Sequence, residues 1–244
     1  MTGTYRIALA GNPNTGKSTL FNLLTGLKQH TGNWAGKTVD MKAGYFSHKH
    51  KEYEIIDLPG TYSLYSNSID EEVARNYIVF EKPDITIVVL DATSLERNLN
   101  LALQVLEMTD RVIIAINLMD EADKRGIVIH EQILMKRLGV PVIKISSRNR
   151  TGIEMLLDTI DRFVSGAITT EPLKVVYDAV TEEKIVSLAE KAERIFQGEL
   201  PARWIALRLL DGDERLMAEI AKRFAGRVED GVRTGQGAVA ERSF

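Results

Sequence analysis

Gly11, Asn12, Pro13, Asn14, Thr15, Gly16, Lys17 and Ser18, followed by Thr19, make a glycine-containing turn that ends in a lysine and a hydroxyl. Glycines let backbone N–H groups approach a phosphate at a helix N-terminus. Lys17 can place a point charge between β and γ groups, and the Ser18 hydroxyl can bind Mg²⁺. This order fits the phosphate-loop pattern, which requires a strand before it and a helix after it. Asp57, Leu58, Pro59 and Gly60 follow a short apolar run. There Asp57 can hold a water of the Mg²⁺ shell, and Gly60 can offer its N–H to a γ-phosphate. Asp-X-Pro-Gly is equally a turn sequence, and its distance after the phosphate loop is what lifts it. Thr38, in the loop before the second strand, is the candidate for a second magnesium hydroxyl.

The purine must be chosen elsewhere. Asn117, Leu118, Met119 and Asp120 directly follow the apolar run Val112 to Ile116. That puts polar side chains at the carboxyl edge of a sheet, where ligands of open α/β sheets bind. A carboxylate at Asp120 can accept from N1 and N2 of guanine, a demand that adenine cannot meet. Ser146, Ser147 and Arg148 follow the next apolar run, and their backbone N–H groups can reach the guanine carbonyl oxygen. Singly, each of these residues reads as a cap or loop. At the ends of successive strands they point to guanine.

These residues need a scaffold, and the hydrophobic pattern supplies one. Strand-like runs at 5–10, 39–46, 53–56, 85–90, 112–116 and 142–145 alternate with helix-period segments at 17–27, 95–108, 130–138 and 152–164. The pattern predicts an α/β, doubly wound, mostly parallel six-stranded sheet of the P-loop NTPase type over residues 1–168. After Gly166 the strand signal stops, and Thr169 to Pro172 reads as a link. Ile185, Leu188, Ala189, Ala192 and Phe196 fall at helix spacing. Pro201 can open a second helix, and Gly212 with Asp213 can stop one helix and start another. A small all-α domain is therefore expected over 169–244, with a frayed tail from about 226.

Composition narrows the chemistry. The 31 basic and 34 acidic residues give a formal charge of −3, an ordinary mixed surface with no basic footprint for nucleic acid. Without cysteine there are no disulfides, thiolate metal sites or cysteine nucleophiles. The apolar runs are too short to cross a bilayer. His48 and His50 flank Lys49 in an expected hairpin turn, and His30 and His130 stand apart, so the histidines read as solvated rather than metal-binding.

With the phosphate loop, Thr38, Asp57 to Gly60, Asn117 with Asp120, and Ser146 in order, the first 165 or so residues resemble the translation-factor-related small GTPases. Leu118 departs from that pattern, where most members carry a lysine whose stem packs over the base; micromolar rather than picomolar nucleotide affinity follows. The runs Thr31 to Val39, Asp57 to Leu64 and Asp91 to Leu99 are similar to those of FeoB-type ferrous-iron transporters, within a group that also holds the Era and tRNA-modification GTPases. This resemblance implies GTP hydrolysis with Mg²⁺, GTP and GDP as ligands, and switches at 28–39 and 57–72. It implies a helical domain joined to a membrane transport portion beyond Phe244, in a cytoplasmic domain of a prokaryotic cell-membrane protein that can form homo-oligomers. An Era-type GTPase acting on RNA and a nucleotide sensor with hydrolysis as reset are the alternatives. No arginine finger is evident, and Thr61 stands where a water-orienting glutamine would. Relatives with an asparagine matching Asn14 bind K⁺ against the phosphates. The resemblance thus implies a K⁺ held by the Asn14 side chain and the backbone carbonyls of Gly32 and Trp34.

Overall fold

The computed structural model describes residues 3–26, 29–33, 40–65 and 67–225; Trp34, Thr38 and the expected tail from 226 lie outside them. The chain divides into two compact units, with the break between Lys174 and Val175.

In the first unit the strands are β1 (Tyr5–Gly11), β2 (Gln29–Asn33), β3 (Asp40–His48), β4 (Lys51–Asp57), β5 (Ile85–Asp91), β6 (Val112–Asn117) and β7 (Val142–Lys144). They form one seven-stranded sheet in the order β2-β3-β4-β1-β5-β6-β7. All pairs from β4 to β7 are parallel, and β2 and β3 are added antiparallel at one edge. The expected six strands are present, and the count is corrected to seven by β2. Gln29, His30, Thr31, Gly32 and Asn33 carry no apolar alternation. Only pairing to β3 makes them a strand.

Helices α1 (Lys17–Thr25), α2 (Ile69–Asn76), α3 (Leu95–Met108), α4 (Met119–Lys124), α5 (Glu131–Leu138) and α6 (Ile153–Val164) complete this unit. Side chains of a strand alternate between faces. Ile7, Leu9, Ile87, Val89, Ile113 and Ala115 accordingly pack with Leu20 and Phe21 of α1 and Leu156 and Ile160 of α6. The intervening Ala8, Ala10, Val88, Leu90, Ile114 and Ile116 are buried as well, as are Leu101, Ala102 and Val105 of α3. Burial on both faces explains why these strands read as continuous apolar runs. Each fully buried Val, Ile or Leu contributes about 1.5–3 kcal/mol.

Residues 169–174 are not a free link. Glu171 N–H donates to Gly139 O at 3.0 Å and Leu173 N–H to Leu138 O at 2.9 Å. Thr170 Oγ1 donates to Asp110 O at 2.6 Å. Gly139 has φ +69°, and a Cβ there would lie 1.8 Å from Glu171 O, so this strap needs glycine at 139. These bonds place the break at 174/175, where the end of the strand signal suggests 168/169.

The second unit holds α7 (Ala179–Phe196), α8 (Ala202–Asp211) and α9 (Glu214–Arg223). Gly212 ends α8 in the left-handed conformation. Asp213 then caps α9 by accepting from Leu216 N–H, the stop and restart that the sequence suggests. Ile185, Ala206 and Leu207 form its core, with Leu188 and Ala189 against them. Arg203 grips Glu182 with two bonds of 2.8 Å. Tyr177 N–H adds a third donor at 2.9 Å.

The Arg203 guanidinium, then the Tyr177 N–H, pulls the Glu182 carboxyl down to about 2. A depressed folded-state value means that the unfolded chain takes up its proton first. The contribution is therefore whole above the ordinary value of about 4.3 and is lost as pH falls toward the folded one. Urea unfolding followed by Trp204 emission, in a Trp34→Phe background, is expected to show stability falling from about pH 4.3 downward. Glu182→Gln is expected to flatten that slope and to lower stability at pH 7.

Candidate nucleotide site

The phosphate loop joins β1 to α1, as its residue pattern requires. Asn14 at φ +66° and Gly16 at φ +78° are both left-handed. Gly16 is the more demanding position, since a Cβ there would meet Asn117 Nδ2 at 2.4 Å. The Thr15 hydroxyl donates to Asn12 O at 3.0 Å and closes the turn. Asn12, Pro13, Asn14, Gly16, Lys17, Ser18, Thr19 and Gly60 line one cavity of about 400 Å³. Both amide atoms of Asn12 are buried without a hydrogen-bond partner among the described residues.

Asp57 stands at the carboxyl end of β4, next to β1, and the Lys17 ammonium donates to its Oδ1. Lys17 Nζ also donates to Leu58 O at 2.6 Å. Ser18 Oγ lies 3.4 Å from Asp57 Oδ2, close enough for both to serve one octahedral Mg²⁺ shell, directly or through its waters. The next segment is docked by Leu58 N–H to Leu9 O at 3.0 Å and Thr61 N–H to Gly11 O at 3.3 Å. Gly60 lies against Pro13, with its would-be Cβ 3.5 Å from the Pro13 backbone.

On the far side of the loop, Asn117 ends β6 and is fully buried. Its amide donates to Thr15 O at 2.9 Å. Its oxygen accepts from Ser147 N–H at 2.9 Å and from Ser147 Oγ at 3.1 Å. Asn117 thus ties the phosphate loop to the loop after β7. Leu118, with φ +62°, turns the chain into α4 and points Cδ2 toward Gly16. Asp120 is half-buried and accepts from Ser146 Oγ at 2.7 Å through one oxygen. The loop of Ser146 to Thr151 is closed by backbone bonds of 3.0 and 3.2 Å. Arg148 reaches outward toward Glu121. Gly32 lies in β2 opposite Met41, and the pair Asn33–Asp40 brackets residues 34–39.

Several residues that hold this site escaped the sequence reading. Ser68 caps α2 through Glu71 N–H, and Glu71 in turn accepts from Ser63 Oγ and Asn67 N–H. The Ser68 to Glu71 spacing is a capping-box signal that could have been read. Gln104 of α3 accepts from Leu64 N–H at 2.7 Å. Arg97 lies over the Tyr62 ring, 4.3 Å from its centre. Nothing local marks either one, because both contacts span more than thirty positions.

Fold and site define the class as a P-loop domain with the GTPase fold, followed by a separate helical unit. The family model for ferrous iron transport protein B matches residues 5–160, and that for the FeoB cytosolic helical domain matches 177–234. The chain belongs to the FeoB family. It is 42% identical over 214 residues to the Fe(2+) transporter FeoB of Escherichia coli K12, covering 85% of this chain and 27% of that protein. The Porphyromonas gingivalis Fe(2+) transport protein A/FeoB fusion protein is 39% identical over 231 residues, with 93% and 27% covered. The chain thus spans about a quarter of the length of these relatives. The cytosolic domain of T. maritima FeoB in a GDP form superposes with TM-score 0.83 at 36% identity, covering 96% of this chain and 98% of that one. The cytosolic domain of L. pneumophila FeoB gives 0.80 at 36% identity, with 92% and 88% covered.

Asn117→Ala is expected to destabilise the protein even without nucleotide. It leaves Thr15 O and Ser147 N–H unpaired, at about 1–3 kcal/mol for each orphaned group. Asp120→Ala, at a half-exposed carboxylate with one hydroxyl partner, is expected to cost under about 1 kcal/mol. Thermal unfolding of the two nucleotide-free variants measures the contrast, and equal losses would contradict it.

Proposed function

We propose that this chain binds and hydrolyses GTP and that its nucleotide state controls Fe²⁺ uptake through a membrane portion of the same polypeptide. The observation that carries the reading is convergence at the carboxyl ends of β1, β4 and β6. There Lys17, Ser18 and Asp57 meet on one side of the phosphate loop, while on the other Asn117 is bonded to Thr15 and Ser147, and Asp120 to Ser146. The first group suits a triphosphate and the second a guanine.

Each residue has a distinct task. Lys17 exchanges its contact with Asp57 for phosphate oxygens, and Gly60 offers its N–H to the γ group. Asn12 to Thr19 cradle the phosphates, with Gly11 setting the turn. Asp120 selects guanine, Asn117 holds the two loops in register, and the N–H groups of Ser146, Ser147 and Arg148 face the base oxygen. Leu118 replaces a long cationic stem with a short apolar one, which supports micromolar affinity. Ser18, Asp57 and Thr38 would hold Mg²⁺, which neutralises charge on the β and γ oxygens. K⁺, held by Asn14 with the carbonyls of Gly32 and Trp34, would supply the charge that an arginine finger brings elsewhere, worth roughly 10³–10⁵ in rate. In support of it, Asn14 is exposed and lines the same cavity as Lys17. The segments 28–39 and 57–72 then act as switches. Asn33–Asp40 pairing anchors the first, and Gln104 with Arg97 anchors the second.

The base assignment is tested by titrating labelled nucleotides. GDP is expected to bind far more tightly than ADP. Asp120→Asn is expected to lose at least tenfold toward GDP, about 1.4 kcal/mol, and to gain toward xanthosine diphosphate. A preference for ADP would refute the assignment. For the monovalent ion, wild-type GTP turnover is expected to rise in K⁺ over Na⁺ by at least tenfold, and Asn14→Ala to turn over equally slowly in both salts. Equal wild-type rates in the two salts would remove K⁺ from the reading and leave the guanine site standing.

A further inference from the structure

The hairpin joining β3 to β4 brings together side chains that lie far apart in sequence. Lys49 and His50 form its turn, with φ +46° and +63°. That twist turns His48 inward, so its ring is only 12% exposed and is not the solvated turn residue that the sequence suggests. His48 Nε2 lies 3.1 Å from Asp158 Oδ1 of α6. Glu154 stands one helical turn before Asp158 on the same face. One ligand atom from each of His48, Glu154 and Asp158 falls within 4.8 Å of the others.

We propose that His48, Glu154 and Asp158 bind a divalent first-row transition-metal ion of the Mn²⁺, Fe²⁺ or Zn²⁺ kind.

The spacing suits such an ion. Ligand atoms about 2.0–2.2 Å from a metal lie roughly 3 Å apart when adjacent, close to the His48–Asp158 separation. Glu154 is exposed at the helix surface and has the rotamer freedom to close the third distance. An imidazole nitrogen beside two carboxylates selects against Mg²⁺ and Ca²⁺, which prefer oxygen alone, and in favour of the first-row transition series. The Asp158 carboxyl is held below the usual carboxylate range by Lys49 and then by His48.

The surroundings define what the ion must displace. Lys49 Nζ is 2.7 Å from the same Asp158 oxygen, on a side chain that is 52% exposed. Lys51, by contrast, is engaged with Asp161 at 2.6 Å and with Ser165 Oγ at 2.5 Å. Lys51 therefore keeps the hairpin pinned to α6 while Lys49 swings away. Asp57 pairs with Lys42, and His48 pairs with Lys51 across the same ladder. The two places are six residues apart along β3, about 20 Å at ~3.4 Å per residue. The metal site is thus distinct from the phosphate loop, and its standing does not depend on the reading of the nucleotide site.

Co²⁺ added to the tag-free, nucleotide-free chain in excess Mg²⁺ tests this, with binding followed by calorimetry and by the histidine ring resonances. One equivalent is expected to broaden the His48 signal ahead of those of His30, His50 and His130. His48→Ala and Glu154→Gln are each expected to weaken binding at least tenfold. Glu154→Gln leaves the Lys49–Asp158 and Lys51–Asp161 pairs in place, so circular dichroism is expected to report an unchanged fold. Lys49→Gly, which suits the left-handed turn, is expected to tighten Co²⁺ binding several-fold by removing the competing ammonium. A purely structural hairpin contact would leave all three affinities alike. An unbroadened His48 signal at one equivalent, unchanged affinity in Glu154→Gln, or no tightening in Lys49→Gly would each overturn the proposal.

Discussion

The amide of Asn117 is the interaction on which the nucleotide site rests. Its two ends are used by two different loops: the nitrogen holds Thr15 O, and the oxygen holds Ser147. A buried amide with both ends satisfied is stable, and the same amide with one end orphaned is costly, so the two loops are fixed together or not at all. Gly16 must lack a side chain because this amide already fills the space. The positions of Lys17 and Asp120 on opposite sides of the loop follow from that link.

The sheet determines what surrounds the link. Strand order reverses around β1, whose neighbours are β4 and β5, and such a reversal opens a crevice at the carboxyl edge. Lys17, at the start of the helix that follows β1, and Asp57, at the end of the neighbouring β4, occupy it. Beyond the backbone bonds of Leu58 and Thr61, the following segment is held by groups of α2 and α3.

At the opposite edge the β3–β4 hairpin meets α6 through a row of charges. Glu154, Asp158, Asp161 and Ser165 recur at spacings of four, three and four along one helix face, beneath His48, Lys49 and Lys51. The same ladder that carries Asp57 at one end carries His48 at the other. Strand pairing therefore makes one rigid element common to both places.

By itself the sequence determined whatever local chemistry controls. The phosphate loop was legible because glycine, lysine and serine spacing has one common use between a strand and a helix. The buried strands were legible because two covered faces leave unbroken apolar runs, and Gly212 with Asp213 was legible because helix ends are closed by neighbouring residues. Tertiary structure alone decided the rest. β2 has no apolar pattern and exists only through its partner; the strap at 169–174 is held by Leu138, Gly139 and Asp110; Arg97 and Gln104 act across the fold. His48 shows the same limit most plainly, since its neighbours in sequence are solvated lysine and histidine, and its neighbours in space are two carboxylates on a helix more than a hundred residues away. Short-range propensity is written into adjacent residues, whereas side-chain meetings over such separations are set by how the sheet orders its strands.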